Sequence, residues 1–92
     1  MTAADRSEDI TGQTRQVLDK IDSYLEKADV DKSHVLTAQI WLKHIERDFK
    51  AMNEAWNAWT VPGHAPSRAT VEASMAAPDI LIEIVVTAAC AD

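Results

Sequence analysis

A chain of 92 residues makes one small domain, with too little interior to enclose a deep private pocket. Its composition, 47% hydrophobic and 26% charged, is that of a folded globular chain and excludes a disordered one. A formal net charge of −6 leaves no basic stripe to release counterions from a phosphate backbone, so nucleic acid is not expected as a partner. The single cysteine, Cys90, excludes an internal disulfide and has no neighbour that would activate its thiol. The start, MTAADRSEDITGQ, lacks an apolar signal core, and no apolar run reaches spanning length. No membrane partner is expected, and the cytoplasm is the default location.

Met1 to Arg6 reads as a polar lead-in without a structural signal. From Ser7 the pattern turns helical: Ile10, Thr14, Val17, Leu18, Ile21, Leu25 and Ala28 recur at spacings of three and four. Ser7 is the expected N-cap, with Glu8 and Asp9 in the first, dipole-positive turn. Asp29 to Ser33 is a polar connection. HVLTAQIWL then alternates Leu36, Ala38, Ile40 and Leu42 against Val35, Thr37, Gln39 and Trp41, a strand with one strongly apolar face. A second helix is predicted from about Ile45 to Trp59, with Phe49, Met52, Trp56 and Trp59 as its core stripe. TVPGHAPS, residues 60–67, is a loop by its Pro-Gly step.

The stretch from His64 to Ala89 reads as two strands joined by a turn at Ala77-Pro78. In that hairpin Glu72 opposes Glu83 and Arg68 opposes Thr87, so Arg68, Thr70, Glu72, Ser74 and Glu83 share one sheet face and the apolar positions share the other. Burial and like charge would then push one of the two carboxyls toward its neutral form. Arg68 and Glu83 are roughly 13 Å apart in this register, a gap for substrate and water or for a neighbouring subunit to bridge. The element order, α-β-α-β-β, implies an α+β domain with two helices on one face of a mixed sheet. No two histidines have ligand spacing, so no metal is expected, and no cofactor motif is present.

GQTRQVLDKID, VLTAQIWLKHIERDFKAMNEAWNAW, PSRATVEA and ILIEIVVTAA occur in order and with compatible spacing, Arg68 and Glu83 lying fifteen residues apart. Together they resemble the Rid family, the YjgF-like reactive intermediate (enamine/imine) deaminases, from about Ile10 to Ala89. The resemblance implies a single YjgF-like domain over residues 1–92, chorismate-mutase-like in fold and assembled as a homotrimer with a site in each cleft between subunits. It implies that Arg68 binds the carboxylate of a 2-imino or enamino acid and that Glu83 handles the water that hydrolyses the imine. The products are a 2-keto acid and ammonia, and no cofactor takes part. Thr70 stands where many members carry cysteine and still offers a hydroxyl to substrate. Glu72 and His64 are further candidates, beside the arginine and at the cleft mouth. Relatives normally open with two strands, including a Ser-Gly-Gln or similar segment that lines the site; here the first helix begins where those strands should end, so the domain reads as N-terminally shortened.

The chemistry suits these residue types. A guanidinium grips a carboxylate through two parallel charge-assisted hydrogen bonds and so fixes its orientation. Hydrolysis of a C=N bond needs a held water and proton traffic to nitrogen, work for a carboxyl group. The competing reading is a non-catalytic homotrimeric module of the same fold that binds small carboxylates.

Overall fold

The computed structural model describes residues 1–89; Cys90, on which the lone-thiol reading falls, lies outside the described residues. Helix α1 runs over Ile10–Lys27, strand β1 over Val35–Leu42, helix α2 over Ile45–Trp59, strand β2 over Ser67–Glu72 and strand β3 over Ile82–Ala88. No helix among the described residues is long and apolar enough to cross a membrane.

The cap of α1 is Asp9, not Ser7. Its Oδ1 accepts from the Gly12 N–H at 2.9 Å, the reach a cap needs, whereas Ser7 lies too early and donates to Asp5. Glu8 and Asp9 therefore precede the helix instead of filling its first turn. Gly12 is required by close approach: a Cβ there would meet the Glu8 side chain at 2.7 Å. The predicted stripe of α1 is buried from Ile10 to Leu25, while Ala28 is exposed as the C-cap.

Met1 to Arg6, which carries no structural signal in the sequence, is bonded to the body of the fold. The Met1 ammonium donates to Ile84 O at 2.7 Å and Ile84 N donates back to Met1 O at 3.0 Å. Lys20 Nζ holds Thr2 O at 2.7 Å, and Ala3 is buried. The bonding groups are main-chain atoms, which carry no mark in the side-chain pattern.

In β1, Ala38, Ile40 and Leu42 face the core as expected. A register irregularity between Val35 and Thr37 turns Val35 inward, and Leu36, expected inside, is 54% exposed. Helix α2 has the predicted limits. Met52, Trp56 and Trp59 are buried, but Phe49 sits at the rim, 40% exposed. Asp48 is buried in its place and accepts two hydrogen bonds from Arg47, at 2.8 and 2.9 Å.

The hairpin does not exist. The strand order is β2-β1-β3: β1 pairs in parallel with β2 and antiparallel with β3. Helix α2 supplies the crossover that a parallel neighbour demands, and β1, with its fully apolar inner row, takes the centre. Both helices cover the face formed by Ala38, Ile40, Leu42, Ile82 and Ile84, which is the core.

Candidate functional site

Register fixes which side chains can meet. Arg68 stands beside Ala38 and Thr70 beside Ile40, so both turn toward the helices on the core-side face of edge strand β2. Glu83 stands beside Trp41, and Trp41 beside Val71, so Glu83 lies on the opposite, outer face. The expectation that Arg68, Thr70 and Glu83 share a face is thus overturned. It followed from direct β2–β3 pairing, and the interposed β1 removes that.

The Val61–His64 turn delivers the chain to Arg68. Gly63 at φ 80° takes the left-handed position after Pro62, and His64 N closes the turn on Val61 O at 2.9 Å. His64 itself is exposed, and among the described residues its side chain has no hydrogen-bond partner. Beyond the turn the Arg68 guanidinium carbon lies 5.8 Å from the Phe49 ring centroid and 5.7 Å from that of Trp56. Arg68 Nη1 and Thr70 Oγ1 are buried without a hydrogen-bond partner among the described residues. Burial pushes the Arg68 pKa below the ordinary arginine value, so its charge is poorly solvated. Two donors, one charged, therefore lie two residues apart on the core-side face of β2 without an acceptor among the described residues. Such an arrangement suits a carboxylate.

Glu83 borders a pocket of about 210 Å³ with Trp41, Ala73, Ser74, Met75 and Ala76. The outer face around it is mixed. Val71 and Val85 are 44% and 47% exposed, and Trp41 and Gln39 are half-buried. A second hollow of about 400 Å³ crosses all three strands, lined in part by Thr37, Gln39, Ala69, Val85 and Thr87.

Glu72 does something else. Its Oε1 accepts from Ile45 N at 3.0 Å, so the carboxylate caps the start of α2 from the end of β2. With β1 between Glu72 and Glu83, the like-charge argument loses its geometry.

The sequence reading missed Gln13. It is fully buried; its Nε2 donates to Arg6 O, Glu8 O and Asp79 O at 3.3, 3.1 and 2.9 Å, and its Oε1 accepts from Leu81 N at 3.0 Å. This amide fixes the approach to β3, two residues before Glu83. The available signal was position: Gln13 lies three after Ile10 and four before Val17, on the buried stripe.

Residues 2–90 match the family described as Endoribonuclease L-PSP. A RutC family protein of Haemophilus ducreyi is 47% identical over 85 residues, which are 92% of this chain and 72% of that relative. The chain belongs to the YjgF/RutC family. Another member, RutC family protein YoaB of Escherichia coli K12, is 48% identical over 77 residues, covering 84% of this chain and 67% of its own length. The crystal structure of a YjgF family protein from Neisseria meningitidis superposes with a TM-score of 0.93 at 40% identity, over 100% of this chain and 76% of that one. The YjgF/RutC fold thus accounts for the two helices on a mixed sheet.

Proposed function

We infer that this YjgF/RutC chain hydrolyses reactive 2-imino and enamino acids, such as 2-aminoacrylate, to 2-keto acids and ammonia, in clefts between copies of itself. The observation that carries this reading is the empty pair of buried donors, Arg68 Nη1 and Thr70 Oγ1, on the edge of the sheet. A substrate carboxylate offers the acceptors that such donors lack. Its oxygens accept from the guanidinium and the hydroxyl, and its charge offsets a cation whose pKa partial burial lowers.

Glu83 lies on the other face of the same sheet, so one chain cannot close such a site alone. The half-apolar outer face, with Val71 and Val85 exposed, suits burial against a second copy. A neighbour's edge strand docked there brings its Arg68 and Thr70 to this chain's Glu83. In the cleft the imino acid is held by its carboxylate. Glu83 takes a proton from water as the water oxygen bonds to the imine carbon, and the proton is passed to nitrogen. The hydroxyl of the resulting carbinolamine then gives up its proton, which Glu83 passes to the amino group; the C=O bond forms as the C–N bond breaks, ammonia leaves and the 2-keto acid remains. An enamino acid reaches the same path once its terminal carbon gains a proton and its nitrogen loses one, which gives the imine.

The endoribonuclease reading of the family description lacks support in this chain's charge of −6. The test generates an imino acid in place with an amino-acid oxidase and follows ammonia release. Arg68→Ala should raise KM at least tenfold, and Glu83→Gln should lower kcat by 10²-fold or more. Wild type no faster than Arg68→Ala would decide for a carboxylate-binding module without catalysis.

A further inference from the structure

An arginine that must present an open fork to a ligand cannot be held by a carboxylate of its own protein, because that partner would occupy the fork. Among the described residues Arg68 has no acidic partner; the ion pairs there are Arg6–Asp79 and Arg47–Asp48. Its guanidinium lies instead against two aromatic rings two turns apart on α2, at 5.8 Å from Phe49 and 5.7 Å from Trp56. Both distances fall inside the range in which a ring's quadrupole attracts a cation. Phe49 has no place in the core: it is 40% exposed, while Met52, Trp56 and Trp59 of the same helix are at most 9% exposed. A phenylalanine half in water is accounted for by what its ring covers.

We propose that Phe49 and Trp56 are positioning residues, an aromatic clamp that fixes the Arg68 guanidinium from α2 without consuming its hydrogen-bond donors. The inference rests on the carboxylate-binding reading of Arg68 and deepens it. An aromatic face supplies attraction without hydrogen-bond acceptors, so it orients the cation and leaves its donors unspent. Without the clamp a long side chain on an edge strand regains rotamer freedom, which each binding event must then remove. The carboxylate is bound alike in ground and transition states, so loss of the clamp acts on KM and leaves kcat nearly untouched.

The test uses Phe49→Leu, whose half-exposed site leaves the core intact, with Phe49→Tyr as rescue and Trp56→Phe as a second probe of the buried ring. Three quantities are read: KM and kcat for an imino acid generated in place, the Kd of 2-ketobutyrate, and the Arg68 side-chain N–H resonances. In Phe49→Leu, KM and Kd should rise roughly five- to tenfold, the scale of one cation–π contact, with kcat within about twofold. The Arg68 Hε signal, shifted by ring currents in the wild type, should move toward its free-arginine position. Phe49→Tyr should restore all three, and Trp56→Phe should keep Kd within about threefold because an aromatic face remains. Unchanged KM and Kd in Phe49→Leu, an unmoved Arg68 signal, or an equal fall in kcat would overturn the clamp. Failure of the underlying reading looks different: Arg68→Ala would then bind 2-ketobutyrate as tightly as wild type.

Discussion

Gln13 ties together segments of the chain that lie far apart in sequence. Its one amide joins the segment before α1 to the segment before β3 through four main-chain partners. Gln13→Leu keeps the volume and leaves the part-buried bonds to Leu81 N and Asp79 O unmade, at about 1–3 kcal/mol per group. The expected loss is about 3 kcal/mol in urea unfolding, and a loss under about 1 kcal/mol would show that water replaces the amide. This role was hidden because hydrophobic periodicity treats a polar residue as a solvent residue, while Gln13 occupies a core position because both its amide nitrogen and its amide oxygen find main-chain partners. Arg68 and Glu83, by contrast, were legible as individuals. A charge within an apolar alternation is costly, so the residue type marks a candidate position before its partners are known. Their mutual placement was not legible, because it depends on which strands are neighbours.

At the scale of elements, α1, α2 and β1 could be read almost to their ends, since each pairs a clear period with a clear terminator. The arrangement of the last two strands could not be read so. Alternation within a strand says which residues share a face, but it does not say which strand lies alongside. Adjacency in sequence favoured a β2–β3 hairpin, and the crossover through α2 decided otherwise by giving β1 two neighbours. Glu72 changes meaning with that topology, from one of a carboxylate pair to the cap of α2. Glu72→Ala should lower stability by about 0.5–1 kcal/mol, through a lost bond to Ile45 N and a lost anion at the helix start. Glu72→Gln should retain the bond and most of the stability. In both variants the pH profile of ammonia release should match wild type; a displaced acid limb in Glu72→Gln would return Glu72 to the chemistry.

For the whole molecule, the decisive fact is that the two faces of one sheet carry the two halves of the proposed chemistry: Arg68 and Thr70 inward at the β2 edge, Glu83 outward on β3. A head-to-tail ring of identical chains solves this directly, since each copy offers its edge to one neighbour and its outer face to the other. The arrangement makes a quantitative prediction about mixed assemblies. Arg68→Ala homo-oligomers lack the grip in every cleft, and Glu83→Gln homo-oligomers lack the carboxylate in every cleft, so each alone should be nearly inactive. When the two are unfolded together in equal amounts and refolded, half of the clefts receive an intact Arg68. Half of those face an intact Glu83, so about one quarter of wild-type activity should return. If both residues of a site came from the same chain, every cleft would carry one defect and the mixture would stay as inactive as its parents. Ammonia release from the mixture, measured against each parent and against wild type refolded in the same way, separates the two cases. Because the readout is a gain of activity, a general loss of foldability in either variant cannot imitate it.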